Sequence, residues 1–260
     1  MKKNVKKYIL GISSIVFIII LWKVASSTGI FGRVDKSTSE LMLPPPEKVF
    51  SELISMIKSG YLLEHILTSF ERVMVGFLLA TVIGIPLGVL MGINESIKFF
   101  FYPIFRIVAP IPGVAWVPLA ILWFGLGNDA AIFIIAISSI TPIVINVLQG
   151  VESVDKNLDD VMTILNGGFG SRIRYMIIPS IIPYLVTGFK LGLGYAWRVV
   201  IAAEMVGVPG GLGYVLNLGR STAKTEITLI TIITLAILLI IMEQCLFRPL
   251  EKLTDNWKRK

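Results

Sequence analysis

Three ionisable residues, Lys190, Arg198 and Glu204, lie in a stretch of the chain that is otherwise apolar and long enough to cross a membrane. Charged side chains inside such a stretch are costly, so they usually face water or another charge. Lys190 and Arg198 share one face of a helix, because they are separated by two intervals of four residues. An arginine offers a planar fork of donors that fits an oxyanion. The pattern predicts that Arg198 and Lys190 border one path and contact an anionic substrate.

Each of these residues also has a structural interpretation. Lys190 can extend to the cytoplasmic interface, and Arg198 can pair with Glu204 or with another helix. The remaining candidates for the path are aromatic or polar residues of the apolar regions: Trp116, Trp197, Asn146, Ser138, Ser139 and Thr141. The aromatic rings can instead serve packing, and the polar groups can bond to carbonyls of their own helix.

The sequence lacks the residues that enzymes and nucleotide-binding proteins commonly need. The phosphate-binding pattern G-x(4)-G-K-[ST] is absent, and the glycine pairs in GLGYAW and GLGYVL lack the third glycine of a dinucleotide site. His65 is the only histidine and Cys245 the only cysteine. An intrachain disulfide and a Cys/His metal cluster are therefore excluded. A Ser-His-Asp arrangement is not credible, because the only histidine lies at the boundary of a predicted span. We predict that the chain is not an enzyme and binds no metal or cofactor itself.

The composition indicates an integral membrane protein. The chain is 55% hydrophobic and only 16% charged, whereas about 25% of the residues of a soluble domain are charged. Uncharged runs cover 73–93, 107–127 and 130–151, and shorter runs at 8–22, 177–189 and 227–242 reach spanning length if flanking charges are tolerated. The predicted fold class is all-α, with six transmembrane helices in one domain that covers residues 1–260.

The net charge of +7 is concentrated at the two ends of the chain. The positive-inside rule therefore places residues 1–7 and 249–260 in the cytoplasm, which agrees with an even number of spans. Nucleic-acid binding is disfavoured, because the charge lies at membrane boundaries and not on one polar face. The basic and apolar start is similar to a signal peptide, but its long apolar core and the interfacial pair Trp22-Lys23 favour a retained helix.

Residues 25–64 are predicted to lie outside the cell membrane. Pro44-Pro45-Pro46 stiffens the chain and begins a helix. Five apolar residues of this helix fall on one face: Val49, Phe50, Leu53, Ile54 and Ile57. The helix can lie on the outer membrane surface or pack against the outer loops of its own domain.

Glycines and prolines mark close contacts and bends within the spans. Gly84, Gly88 and Gly92 recur at intervals of four and predict a close helix–helix contact, either within the chain or between two copies. Prolines crowd the third span at Pro103, Pro110, Pro112 and Pro118, and Pro142 interrupts the fourth. They predict broken helices that line a cavity or bend during a transition.

A polar segment at 152–175 must emerge from the membrane, because its glycine-rich turn would leave backbone groups unpaired in lipid. Leu158, Val161, Met162 and Leu165 recur at helical spacing, with Asp159, Asp160, Thr163 and Asn166 on the opposite face. Asp155 is predicted to cap this helix and Gly167-Gly168 to end it. Arg172 and Arg174 mark the cytoplasmic side. A soluble partner can grip the segment there, although a plain surface helix is also consistent with the pattern.

The segment resembles the cytoplasmic loop of ABC-importer permeases, E-A-A-x(3)-G-x(9)-I-x-L-P. The spacing is kept, with Asp160, Val161, Met162, Asn166, Met176, Ile178 and Pro179 at the motif positions, and only Pro179 is identical. The resemblance to permeases of the sulfonate, taurine and nitrate importers extends over nearly the whole chain. It rests on LPPPEKVFSEL, SFERVMVGFLLATVIGIPLGVLMG, PIPGVAWVPLAILWFGLG, VESVD, and GLGYAWRVVIAAEMVG followed by GLGYVLN.

The resemblance implies a type I ABC-importer permease fold and a homodimer in a bacterial inner membrane. It also implies two cytoplasmic ATPase subunits, which bind ATP and magnesium, and an extracytoplasmic substrate-binding protein. ATPase coupling is implied for the residues of the cytoplasmic loop: Leu158, Asp159, Asp160, Met162, Thr163, Asn166, Gly167 and Gly168. Their motion is expected to tip the spans and open the path to each side in turn. Glu204, in the AEM stretch, is expected to have a structural or gating role near the outer end.

The substrate is expected to be set mostly by the binding protein. An aliphatic sulfonate or taurine is the leading prediction, and nitrate or a vitamin-precursor ring compound is an alternative. The second interpretation of the whole chain is a self-sufficient secondary transporter or channel. It would need an ion-coupling or filter site inside the spans, and the inverted repeat common in such transporters is not obvious.

Overall fold

Residues 2–28 and 41–251 are described by the structure, a computed structural model, and the regular elements within them are all helices. In chain order these are α1 (Lys2–Ser27), α2 (Pro46–Lys58), α3 (Tyr61–Ile93), α4 (Glu95–Val108), α5 (Val117–Phe124), α6 (Asn128–Glu152), α7 (Lys156–Ile164), α8 (Phe169–Val206), α9 (Leu212–Ser221) and α10 (Thr225–Glu251). A 3₁₀ turn at Gly113–Trp116 precedes α5, and α8 and α10 each contain one π-helical turn. The predicted all-α class is confirmed.

The helices α3, α6, α8 and α10 are each long and apolar enough to cross a membrane. The pair formed by α4 and the segment Gly113–Phe124 makes a fifth span if the two halves are taken together. The apolar part of α1 within the described residues, Ser13–Ser27, is shorter than these spans. The predicted count of six is therefore approximate, because it includes one bent span and the first helix.

The third predicted span, 107–127, is not one helix. It bends by 95° at residues 109–112, between α4 and the segment Gly113–Phe124. Pro110 and Pro112 lie in the bend and have no backbone N–H to continue a helical ladder. By contrast, Pro142 does not interrupt the fourth span, since α6 continues through it as one helix.

Helix α6 forms the centre of the bundle and packs between α3 and α8. On the α3 side, an added Cβ at Gly88 would lie 2.8 Å from Val147 Cβ, and one at Gly84 would lie 3.1 Å from Ile143. On the α8 side, Gly192 meets the Ser139 carbonyl, and the Ser139 hydroxyl donates to the Gly192 carbonyl at 3.0 Å. The glycine stripe of α3 therefore makes an internal contact, which resolves the two predicted alternatives.

We expect the substitution Gly88→Val to destabilise the chain by about 1–3 kcal/mol, because overpacking displaces well-packed neighbours. The added Cβ would also lie 2.9 Å from the Val144 carbonyl oxygen, which cannot move without distorting α6. Thermal unfolding of the purified protein measures the effect. Gly194→Ala in α8 is the control, since no atom lies within 4 Å of its added Cβ. Equal melting temperatures for the two variants would contradict the close α3–α6 contact.

Helix α2 packs on the bundle with one side and leaves the other exposed. Val49 and Met56 are buried and α2 contacts α10, whereas Phe50 and Ile57 are exposed. The end of α1 is tied to the chain before α2, because Trp22 Nε1 donates to the Pro44 carbonyl at 3.0 Å. Lys23 also donates to the Glu47 carboxylate, and this bond lowers the pKa of Glu47. Helix α2 therefore packs on its own domain, but against the spanning helix α10 and not against the predicted outer loops. Its exposed apolar residues also fit a membrane surface.

Candidate functional site

A cavity of about 620 Å³ lies between the 109–112 bend, α6 and α8. Several of the polar and aromatic candidates line it: Trp116, Ser138, Thr141, Asn146 and Arg198, together with Tyr195, which the sequence analysis did not select. Gly113 holds the bend against the bundle, since its added Cβ would lie 2.9 Å from Val199 and would also clash with the Ser138 hydroxyl. The cavity therefore depends on a close contact that only glycine allows.

Arg198 lies on the exposed face of α8 and makes no ion pair or hydrogen bond within residues 2–28 and 41–251. The predicted pairing of Arg198 with Glu204 is wrong. The two residues are six positions apart, which places their side chains roughly 120° apart around a helix of 3.6 residues per turn. Arg198 thus presents its charge at the cavity, in a helix that is otherwise long and apolar.

Glu204 is instead the centre of a buried polar cluster with Arg72. It is 1% exposed, Arg72 is 5% exposed, and Arg72 Nη1 donates to Glu204 Oε1 at 2.8 Å. Ser69 Oγ donates to the same carboxylate, and the Gly213 backbone N–H donates to Glu204 Oε2 at 2.9 Å. The structural role predicted for Glu204 has a clear basis here, and Glu204 does not line the cavity, which argues against direct contact with substrate.

The same cluster holds the turn between α8 and α9. Arg72 donates to the carbonyls of Pro209 and Gly210, at 2.6 and 2.8 Å. His65 Nδ1 accepts from the Gly211 backbone N–H at 3.0 Å, so that nitrogen carries no proton in this arrangement. Gly211 has a φ of +94° and leaves no room for a side chain beside the Glu204 carboxylate. The buried network therefore fixes the end of α8 to α3.

Sequence reasoning missed Arg72, although a signal for it was present. Arg72 directly precedes the uncharged run 73–93, and a buried acid such as Glu204 requires a cation nearby. Arg72 and Glu204 are 132 positions apart in the sequence. Pattern reasoning within one helix could not connect them.

Lys190 and Arg198 do line one cavity, the smaller one of about 250 Å³ between α8 and α10. However, Lys190 Nζ lies 2.9 Å from Glu251 Oε1 and 3.3 Å from Glu243 Oε1. Its charge is therefore engaged by two carboxylates of α10. The predicted anion contact at Lys190 is disfavoured for this reason.

The two predicted tryptophans lie in different places. Trp116 borders the larger cavity, whereas Trp197 is 2% exposed and packs in the core. Trp197 lines neither of the two cavities described above. Asn146 lines the larger cavity and also donates through Nδ2 to the Pro142 carbonyl at 2.8 Å, the bond to its own helix that we considered as an alternative.

Helix α7 begins with the predicted cap. The Asn157 backbone N–H donates to Asp155 Oδ1 at 2.9 Å. The helix ends differently from the prediction, because the left-handed residue is Asn166, with a φ of +52°, and not a glycine. The Gly167 N–H then donates to the Met162 carbonyl at 2.8 Å, which is the 6→1 bond of a Schellman motif. Asparagine tolerates this conformation better than most residues do, which explains how it can replace the motif glycine.

The surface of α7 and its end is unusually apolar. Leu158 and Val161 are about half exposed, and Ile164 and Leu165 are 81% and 70% exposed. Ile164 was not among the predicted coupling residues, and the side chains of Asp159 and Thr163 lie outside the described part of the structure. A cluster of exposed aliphatic side chains on a short helix between two long ones is typical of a protein–protein contact surface.

The sequence is similar to those of known membrane transport proteins. The family described as "Binding-protein-dependent transport system inner membrane component" matches residues 84–246. The taurine transport system permease protein of Escherichia coli is 29% identical over 84% of this chain and 81% of its own length. A Bacillus subtilis protein named as an aliphatic sulfonates transport permease is 30% identical, over 93% and 81%. The bicarbonate transport system permease protein of Synechococcus elongatus is also 30% identical, over 76% and 72%.

The fold is also similar to that of a solved transporter. A chain of the MetNI methionine ABC transporter, in an inward facing conformation, superposes with a TM-score of 0.62 at 20% identity. The match covers 74% of this chain and 95% of the other. The predicted type I permease fold is thereby confirmed.

Proposed function

The chain belongs to the binding-protein-dependent transport system inner membrane component family, and from this premise we propose which partners drive it and what it carries. Members of this family are the permease subunits of ABC importers, so the chain is a transport subunit without an ATPase site of its own. We propose that two soluble ATPase subunits supply the energy and bind the ATP and magnesium. An extracytoplasmic binding protein delivers the substrate, and a second copy of the chain completes the path.

The observation that carries this proposal is the exposed apolar surface of α7. The helix lies between two spanning helices, α6 and α8, and inside the region that matches the family. Movement of a partner bound to α7 can therefore move both α6 and α8. In this proposal the coupling residues are Leu158, Asp159, Asp160, Met162, Thr163, Asn166, Gly167 and Gly168, to which the exposure of Ile164 adds a further contact.

The proposed orientation places α7 and both chain termini in the cytoplasm of a bacterial-type cell, as the basic ends favour. The contacts of α10 support this arrangement. At its start, Thr225 Oγ1 donates to the Leu41 carbonyl in the predicted outer segment. At its other end, Glu251 pairs with Lys190 of α8. The start of α10 thus contacts the predicted outer segment, and its end contacts a residue within the span α8, which agrees with a helix that runs from the outer side towards the cytoplasm.

We propose that the substrate is a small organic anion, with an aliphatic sulfonate or taurine as the best candidate. Relatives are named for transport of taurine, aliphatic sulfonates and bicarbonate, and each of these carries an oxyanion group. Nitrate and vitamin precursors are the other substrates to test. A self-sufficient secondary transporter is the competing function, and it requires transport without any ATPase.

The left-handed conformation of Asn166 at the end of α7 allows a test of whether the ATPase binds there. Asn166→Gly should leave ATPase binding intact, because glycine adopts the left-handed conformation without cost. Asn166→Val should lose it, because a left-handed conformation costs an ordinary residue about 1–2 kcal/mol and is worst for a β-branched one. Co-purification of the ATPase with each variant measures the difference. If Asn166→Val retains the ATPase as well as Asn166→Gly does, the end of α7 is not part of the docking surface.

A further inference from the structure

We infer that the larger cavity is a binding site for the oxyanion group of the substrate within the membrane, with Arg198 as its charged contact. The inference rests on the proposed function and deepens it, because it locates recognition in the permease itself as well as in the binding protein. The cavity would hold the substrate temporarily, after the binding protein releases it and before it reaches the cytoplasm.

The charge of Arg198 is the first observation. Within the described residues it has no carboxylate partner, in contrast to Arg72, which pairs with Glu204, and Lys190, which pairs with Glu243 and Glu251. A cation in a membrane-spanning helix needs water or an anion beside it. The protein neutralises Arg72 and Lys190, whereas Arg198 lines the larger cavity, where a mobile anion can reach it.

Two unpaired hydroxyl groups are the second observation. Ser138 Oγ and Thr141 Oγ1 are buried, have no hydrogen-bond partner among the described residues, and belong to the α6 wall of the cavity. Thr141 is only 9% exposed. Buried hydroxyls in proteins are nearly always bonded, so an unpaired one needs an explanation. Both residues line the cavity, so a rotation about χ1 of either side chain would turn its hydroxyl towards an oxyanion bound there.

The size and walls of the cavity are the third observation. A volume of about 620 Å³ lies within the roughly 300–1,000 Å³ usual for small-molecule sites. Trp116 and Tyr195 supply aromatic surface to the same cavity. The site therefore combines a fork of donors for an oxyanion with apolar surface for a short carbon chain. Arg198 and Tyr195 also line the smaller cavity, so they are shared by the walls of both cavities.

The test measures binding of methanesulfonate to the purified permease–ATPase complex in lipid nanodiscs, without the binding protein. Dimethyl sulfone, which has nearly the same shape but no charge, is the matched probe. We expect saturable binding of methanesulfonate and at least tenfold weaker binding of dimethyl sulfone. Arg198→Gln should weaken methanesulfonate binding at least tenfold, and Arg198→Lys should weaken it less, because lysine keeps the charge and loses the fork. Lys190→Gln should change it less than threefold.

The inference is overturned if Arg198→Gln binds methanesulfonate as tightly as the wild type, if both probes bind equally, or if neither binds. Co-purification of the ATPase with each variant separates this outcome from failure of the proposed function. A variant that retains the ATPase but shows unchanged anion binding refutes the site alone. A wild-type chain that recruits no ATPase refutes the proposed function, whatever its anion affinity.

Discussion

The substitution Glu204→Ala is expected to cost about 3–5 kcal/mol of the free energy of unfolding, because it leaves the Arg72 guanidinium buried without its counter-charge. Both side chains are almost fully buried, and the carboxylate accepts from Arg72, Ser69 and Gly213. Breaking a buried pair by removing one partner is much worse than replacing both. Unfolding of the purified chain in mixed detergent and SDS micelles measures the loss.

An exposed ion pair provides the matched control for this prediction. Lys98 Nζ lies 2.5 Å from Glu152 Oε1, and the two side chains are 38% and 41% exposed. Glu152→Ala is therefore expected to cost less than about 1 kcal/mol. The double variant Arg72→Met/Glu204→Leu should recover part of the Glu204→Ala loss. Recovery will be incomplete, because the carbonyls of Pro209 and Gly210 also lose their donor. A loss at Glu204 no larger than that at Glu152 would contradict a buried, charged pair.

The substitution Ile164→Asp is expected to weaken binding of the ATPase subunit at least about thirtyfold, which corresponds to roughly 2 kcal/mol. Ile164 is 81% exposed in the isolated chain. If docking covers this side chain, it gains about 1.5–3 kcal/mol from burial, whereas a carboxylate there must lose its hydration. A titration of the ATPase against the permease in nanodiscs measures the affinity.

The control for Ile164→Asp places the same charge elsewhere on α7. Asn157 is exposed in the first turn of that helix, where a carboxylate suits the helix dipole. Asn157→Asp should leave the affinity within about threefold of the wild type, that is within roughly 0.7 kcal/mol. Equal affinities for both variants would exclude the apolar surface of α7 from the contact. Equal melting temperatures would show that neither substitution acts through unfolding.

Features that depend on local sequence were predictable. The Asp155 cap of α7, the proline-rich bend of the third span and the close packing of Gly84, Gly88 and Gly92 each follow from the neighbours of those residues in the chain. Whether a proline breaks a helix also depends on the packing around it, which a sequence pattern does not specify. Prolines predicted a break in both the third and the fourth spans, but only the third bends, since Pro142 lies in a helix supported on two sides by α3 and α8.

Features that depend on distant contacts were not predictable. Glu204 was considered as a partner of Arg198 because the two are near in sequence, whereas its partner Arg72 comes from α3. Lys190 was selected for its charge, which is neutralised by two residues of α10. Trp197 was selected for its type, but its position on α8 turns it into the core. In each case the partner of the side chain, and not its own chemistry, decides its role.

The measurement that tests the central claim most directly is uptake of radiolabelled taurine into proteoliposomes that contain the purified permease. We predict uptake only when the ATPase subunit, ATP and the binding protein are all present, and loss of that uptake when Ile164→Asp replaces the wild type. Taurine uptake by the wild-type permease alone, driven by an ion gradient and unchanged by Ile164→Asp, would contradict the account and favour a self-sufficient transporter.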